Sequence, residues 1–136
     1  MSVRLRVHNS VPDSASPYRL VDDHDREIAW ANEFLDAQKL RQLSVRSLRA
    51  YGFDLLHAAR WFETTGHSLA QLNQSLLLQY VRYQLDRQPS PTPQTINHRL
   101  CVLSCLYRFH YGQEIPGKAV FPRTYTTRSS LGYGRP

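Results

Sequence analysis

Three arginines, Arg46, Arg49 and Arg60, share an arc of about 60° when residues 44–62 are wound as an α-helix, and Phe53 lies inside that arc with His57 at its edge. A second polar set, Asn97, Arg99 and Arg108, stands on residues 92–111. A guanidinium is a flat fork of donors that fits phosphate oxygens and guanine edges, and an asparagine amide fits adenine. The chemistry these types offer is recognition of a polyanion rather than bond breaking. A solvated arginine face is the plainer reading of the same row, and the row alone leaves both open.

Bond-breaking chemistry has little to stand on. The sequence holds no Gly-rich phosphate loop and no HExxH, GxSxG or CxxC pattern. Asp22, Asp23, Asp25 and Glu27 crowd the expected start of a helix, where negative charge complements the helix dipole. His98, Cys101 and Cys105 fall on one side of the last helical stretch but lack a fourth ligand, and one straight helix does not encircle a tetrahedral ion. No metal and no other cofactor is expected. His110 shares a side with the core stripe and reads as a hydrogen-bonded core histidine, and Tyr133 has no base near it in sequence.

The elements that must carry these residues follow from periodicity and capping. Leu48, Tyr51, Leu55, Ala58, Ala59 and Phe62 form the core stripe of the arginine-bearing helix, with Ser44 as its N-cap and Gly66 as its stop. Gly52, in mid-helix, marks a close packing contact. An earlier helix is expected over residues 21–42, with Ile28, Ala31 and Leu35 on one side and Trp30 and Phe34 on another that is either buried or covered by a partner. Leu69 and Leu72 plug the core from a short connector. Asn73 caps a third helix, to residue 88, with Leu77, Val81 and Leu85 as its stripe and Tyr80 beside it. Thr92 and Pro93 open the fourth helix, whose core face is Ile96, Leu100, Leu103 and Tyr107, and Gly112 ends it.

Charge is distributed unevenly along this frame. Residues 1–43 hold six Lys/Arg against seven Asp/Glu, while residues 44–136 hold eleven against four. The total of +6 permits a polyanionic partner. Residues 1–22 lack a period and read as a flexible arm, residues 23–117 as a single helical unit, and residues 118–136, with Arg123 and Arg128, as a basic linker. No apolar run has signal or membrane-spanning length, and Cys101 and Cys105, four apart on a helix, are poorly set for a disulfide. Reduced thiols and a cytoplasmic location are expected.

One ordered set of residues adds a resemblance. Ser44-x-x-Ser47-x-x-x-Tyr51-x-x-Asp54-Leu55, then Trp61-Phe62, Leu69-x-x-Leu72, and Thr95-Ile96-Asn97-x-Arg99-Leu100-x-x-Leu103-x-x-Leu106-Tyr107-x-Phe109 resemble the N-terminal core-binding domain of tyrosine site-specific recombinases, the phage integrase family. Ser47 replaces the usual threonine, Leu106 a common aromatic, and Ile115-Pro116 a usual Asn-Pro. The resemblance implies an all-α, four-helix SAM-like fold and double-stranded DNA as partner. It further implies protomer–protomer contacts in a recombination complex, with no membrane and no small-molecule ligand. It makes Arg46, Arg49, Phe53, Arg60, Asn97, Arg99 and Arg108 candidate DNA contacts, with Arg123 and Arg128 joining from the linker. The family's catalytic set of Arg, Lys, His-x-x-Arg and tyrosine follows this domain and would begin beyond Pro136, so no residue is expected to inherit a catalytic role. A free-standing helix-turn-helix regulator, or a SAM-like protein-interaction module using Trp30 and Phe34, are the competing readings.

Overall fold

The side chain of Ser44 accepts from the Ser47 N–H, and Gly66 turns left-handed at φ 77°. Between them runs the longest helix of the computed structural model, which describes residues 2–117. The elements in order are β1 (Arg4–Val7), β2 (Tyr18–Val21), α1 (Ala29–Leu40), α2 (Val45–Thr65), a 3-10 turn (Leu69–Gln71), α3 (Gln74–Leu85) and α4 (Pro93–Tyr111). The fold is an all-α four-helix bundle with a small antiparallel hairpin added at its N-terminal side. The basic linker expected over residues 118–136, with Arg123 and Arg128, lies outside the described residues.

Caps follow the sequence closely. Asn73 accepts from the Leu76 N–H at 2.9 Å, and Thr92 from the Thr95 N–H at 3.2 Å with Pro93 in the first turn. Each cap satisfies an amide that the first helical turn leaves open. Leu48, Leu55, Ala58, Ala59 and Phe62 of α2 are buried, and Tyr51 is half-buried. Leu69 and Leu72 enter the core as expected.

Two regions depart from the expectation. The N-terminal stretch is folded rather than flexible: β1 and β2 pair in the register Arg4↔Val21, Leu5↔Leu20, Arg6↔Arg19, Val7↔Tyr18. Asn32 of α1 clamps the hairpin by accepting from the Leu20 N–H at 2.8 Å and donating to the Leu20 carbonyl at 2.9 Å, as a neighbouring strand would. Gly52 is where the hairpin lands. A Cβ there would stand 3.1 Å from Leu5 Cδ1 and 3.6 Å from Tyr18 Cβ, so the glycine admits the hairpin onto α2.

Because residues 18–21 are strand, α1 cannot begin at residue 21. Asp22 instead organises a turn, accepting from the His24 and Arg26 N–H groups at 2.8 and 2.9 Å, and Asp25 takes a left-handed φ of 61°. The acidic cluster therefore serves the hairpin's arginines, not a helix dipole. Asp25 pairs with Arg4 and Arg6 at 2.8 and 2.9 Å, and Arg19 is held between Glu27 and Asp36. That guanidinium holds the Glu27 carboxyl below its usual range.

The second departure is the face of α3. Leu76, Tyr80 and Gln84 are buried, Leu77 and Val81 are half-buried, and Leu85 is exposed. The buried face is rotated by about 100° from the Leu77–Val81–Leu85 stripe. The Tyr80 ring lies 4.6 Å from that of Trp61, and its hydroxyl reaches His57 at 2.8 Å. A large ring with a satisfied polar tip outweighs three aliphatic side chains that can stay partly wet. On α4 the buried set is Ile96, Val102, Leu103, Leu106 and Tyr107, with Leu100 half-buried.

Leu55 sits fully buried at the centre of the α2 stripe. Leu55→Ala is expected to lower stability by about 2–5 kcal/mol, the cost of a leucine truncated in a packed core. Urea unfolding checks this, and an unchanged midpoint would contradict the assignment of that face.

Candidate nucleic-acid interface

Helix α2 packs against α4, α1 and the hairpin, with Tyr80 of α3 reaching it at Trp61, which leaves an exposed strip. Arg46, Arg49, Phe53 and Arg60 lie on it, as their spacing required. Arg49 stacks over the Phe53 ring at 4.9 Å, and that ring remains 46% exposed. A cation over an exposed ring is worth about 0.5–1 kcal/mol, enough to bias where the guanidinium stands without removing it from water. Neither Arg46 nor Arg49 forms an ion pair among the described residues. Arg60 is exposed but tethered, with Nε donating to the Val3 carbonyl at 3.2 Å.

Beside this strip, the first turns of α4 close a shallow groove lined by Ala50, Phe53 and Asp54 from α2 and by Gln94, Thr95 and His98 from α4. Asn97 is exposed on α4, next to His98. The pairing of α2 with α4 that the candidate residues needed is thus present, and it runs through their N-terminal portions.

Two of the expected α4 arginines stand elsewhere. Arg99 is half-buried and turned toward α3, where one terminal nitrogen donates to Gln84 Oε1 at 3.0 Å. Its Nε is buried with no hydrogen-bond partner. It supports the core beneath the strip rather than lying on it. Arg108 pairs with Glu114 at 2.9 Å and lines a different groove, with Phe34, Tyr51, Cys105 and Phe109. Helical spacing placed Asn97 and Arg108 on one side, but 11 residues separate them along the α4 axis, about 16 Å at a helical rise.

Three side chains that the sequence did not mark for DNA complete the picture. His98 donates from Nδ1 to Asp54, so it is bound to a carboxylate rather than joined to Cys101 and Cys105. Among the described residues no group of three or more metal-ligating side chains is present. Arg87, at the end of α3, stacks over Tyr83 at 5.1 Å and joins Arg60 and Arg99 in acting on His57. The signal for Arg87 was available only in three dimensions, since it lies 27 residues from Arg60. His110, by contrast, is as its position suggested, donating from Nε2 to the Trp30 carbonyl at 2.7 Å.

Under the strip lies a titratable pair. Burial pushes the His57 imidazole down to about 4, and the charges of Arg99, Arg87 and Arg60 act the same way. Burial pushes the Tyr80 phenol up. Both groups are therefore neutral at pH 7, and we assign the Tyr80 O–H as donor to His57 Nδ1.

A family model described as phage integrase, N-terminal SAM-like domain, matches residues 31–114, more than half of the chain. No curated protein and no solved structure matches. No helix among the described residues is long and apolar enough to cross a membrane.

The His57 shift carries a pH dependence. An unfolded chain protonates this ring near 6.5, whereas the folded state keeps it neutral down to about 4. Its stability contribution is present above about pH 6.5 and is lost as pH falls toward 4. Asp54, raised by burial, works in the opposite sense at the acid end. The urea midpoint should therefore fall across this window, and fall less steeply for His57→Gln than for wild type; parallel profiles would contradict a neutral His57.

Proposed function

We propose that this chain, which belongs to the phage integrase N-terminal SAM-like domain family, grips duplex DNA as the core-binding domain of a tyrosine recombinase. The observation that carries the reading is the exposed α2 strip: Arg46 and Arg49 without carboxylate partners among the described residues, beside Phe53 and the mouth of the α2–α4 groove. We read residues 23–117 as the DNA-binding unit. Asn97, across the groove, is positioned for a base edge or a phosphate, and Arg60 for a phosphate if its bond to Val3 exchanges. Arg99 acts as a support, and Arg108 belongs to the α1–α4 side. Arg123 and Arg128 remain phosphate contacts in this reading.

The competing readings have less behind them. Phe34 is buried and the half-buried Trp30 packs edge-on against Phe62 at 5.9 Å, so the surface that a protein-interaction module would use is occupied from within. A helix-turn-helix reader would need its two DNA helices joined by a tight turn, whereas α3 intervenes between α2 and α4.

Phosphate contacts would dominate affinity and make it salt-dependent. Arg49→Ala should weaken duplex binding and reduce the log–log salt slope by about 1, with the circular dichroism spectrum unchanged. Arg26→Ala, which removes an exposed pair with Asp22, serves as control and should bind as wild type does. Equal affinities for the three proteins by fluorescence anisotropy at low salt would move the DNA face off α2.

Residues 1–136 offer grip without cleavage in this reading, because the motifs of the family's catalytic set are not among them. Incubation with supercoiled plasmid should leave it intact, and a nicked product carrying covalently attached protein would overturn the assignment.

A further inference from the structure

A carboxylate stands in the groove beside the arginine strip. Asp54 lines it with Phe53 and His98, and an anion there repels the polyanion that the face is read to bind. Its side chain is only 14% exposed, while that of His98 is 52% exposed. A charge so far removed from water needs a partner, and Asp54 has one in the Nδ1–H of His98.

Resting on the DNA-binding reading above, we propose that Asp54 is a positioning residue that orients His98 so that the ring, protonated on both nitrogens in the complex, contacts a backbone phosphate of the duplex through Nε2–H. With Nδ1 engaged by Asp54, Nε2 is the ring's remaining polar atom. A ring protonated on both nitrogens is a donor at both. The carboxylate, the imidazolium and a phosphate then alternate in sign along one line.

The groups around the ring are compatible with this. On α2 they are Asp54 and Tyr51, whose ring centroid lies 6.1 Å from that of His98 and whose phenol burial pushes up. On α4 the nearest charge is Arg99, which also acts on Asp54 but is directed into Gln84. Burial raises the Asp54 carboxyl, and His98 is the first group opposing that rise. Gln94 and Thr95, on the same wall of the groove as the ring, are uncharged.

The sign of one substitution separates this role from a merely structural one. Removing a carboxylate from a DNA-binding face by itself strengthens binding, because a repulsion is lost. If Asp54 instead orients His98, Asp54→Asn weakens binding. The experiment is a fluorescence-anisotropy titration of the full chain with a labelled duplex of mixed sequence. It compares wild type, Asp54→Asn, His98→Ala and the double variant, with urea midpoints measured alongside.

Each single variant should weaken binding on the order of threefold to tenfold, and His98→Ala should lower the salt slope by about 1. In the His98→Ala background, Asp54→Asn should tighten binding, since the carboxylate is then only a repulsion. Tighter binding by Asp54→Asn alone, or unchanged binding by His98→Ala, overturns the proposal while leaving the α2 reading in place. Absence of salt-dependent binding by wild type overturns both.

Discussion

The bond between His57 and Tyr80 is the constraint on which the rest of the arrangement depends. It crosses from α2 to α3 under the arginine strip, with the tyrosine fully buried against Trp61. Two polar groups withdrawn from water in this way are tolerable only together. Leaving either alone costs about 1–3 kcal/mol, whereas the intact bond is worth less than that. The pair therefore fixes the rotation of α3 more firmly than its aliphatic side chains do. Three arginines surround it, so a second proton on the imidazole is opposed by charge as well as by burial. The cations are the outer layer of a structure whose inner layer must remain neutral.

Elsewhere the arginines divide by what lies within reach. Those of the N-terminal part meet acids: Arg4 and Arg6 at Asp25, Arg19 between Glu27 and Asp36, and Arg26 at Asp22. Most of the charge of residues 1–43 thus goes into building the hairpin and its turn. Exposed pairs of this kind add little stability singly, but Arg19 is largely buried and bridges two carboxylates on either side of the hairpin–α1 junction. Arg46, Arg49 and Arg60 of α2 meet no acid among the described residues, and Arg87 and Arg99 gather with Arg60 around His57. Much of the positive excess in the rest of the chain is therefore concentrated on and beside one helix.

How much of this was legible follows from the range of each signal. Caps and stops at Ser44, Gly66, Asn73, Thr92 and Gly112 act within four residues, and sequence alone located them. The α2 stripe was equally clear because 21 residues average out local accidents. The hairpin was not visible: its strands are four residues each, and their stability comes from Asn32 and Gly52, which lie 12 and more residues away. The acids of the turn imitate a helix start, since capping and ion pairing call for the same residue types. On α4 the period gave Arg99 and Arg108 their helix but not their partners. Gln84 on another helix and Glu114 beyond the helix end decide where they point.

The row on α2 carries an electrostatic cost of its own. Arg46 and Arg49 are three apart, close enough on a helix to repel by a few tenths of a kcal/mol, on the order of 0.2–0.5. A surface selected for stability alone would interleave an acid at the third or fourth position. Here the places that helical spacing offers beside Arg49 are taken by Val45, Arg46, Gly52 and Phe53, none of them an acid, and the Phe53 ring lies against the guanidinium. The acid of that stretch, Asp54, is already bound to His98. The bundle thus carries a small electrostatic strain on the helix that also supplies its core stripe, Leu48 to Phe62. An anionic partner laid along the strip relieves that repulsion and desolvates Phe53 in the same step. Binding and bundle stability are then linked through one helix, and a ligand that holds α2 in place stabilises the whole fold by mass action.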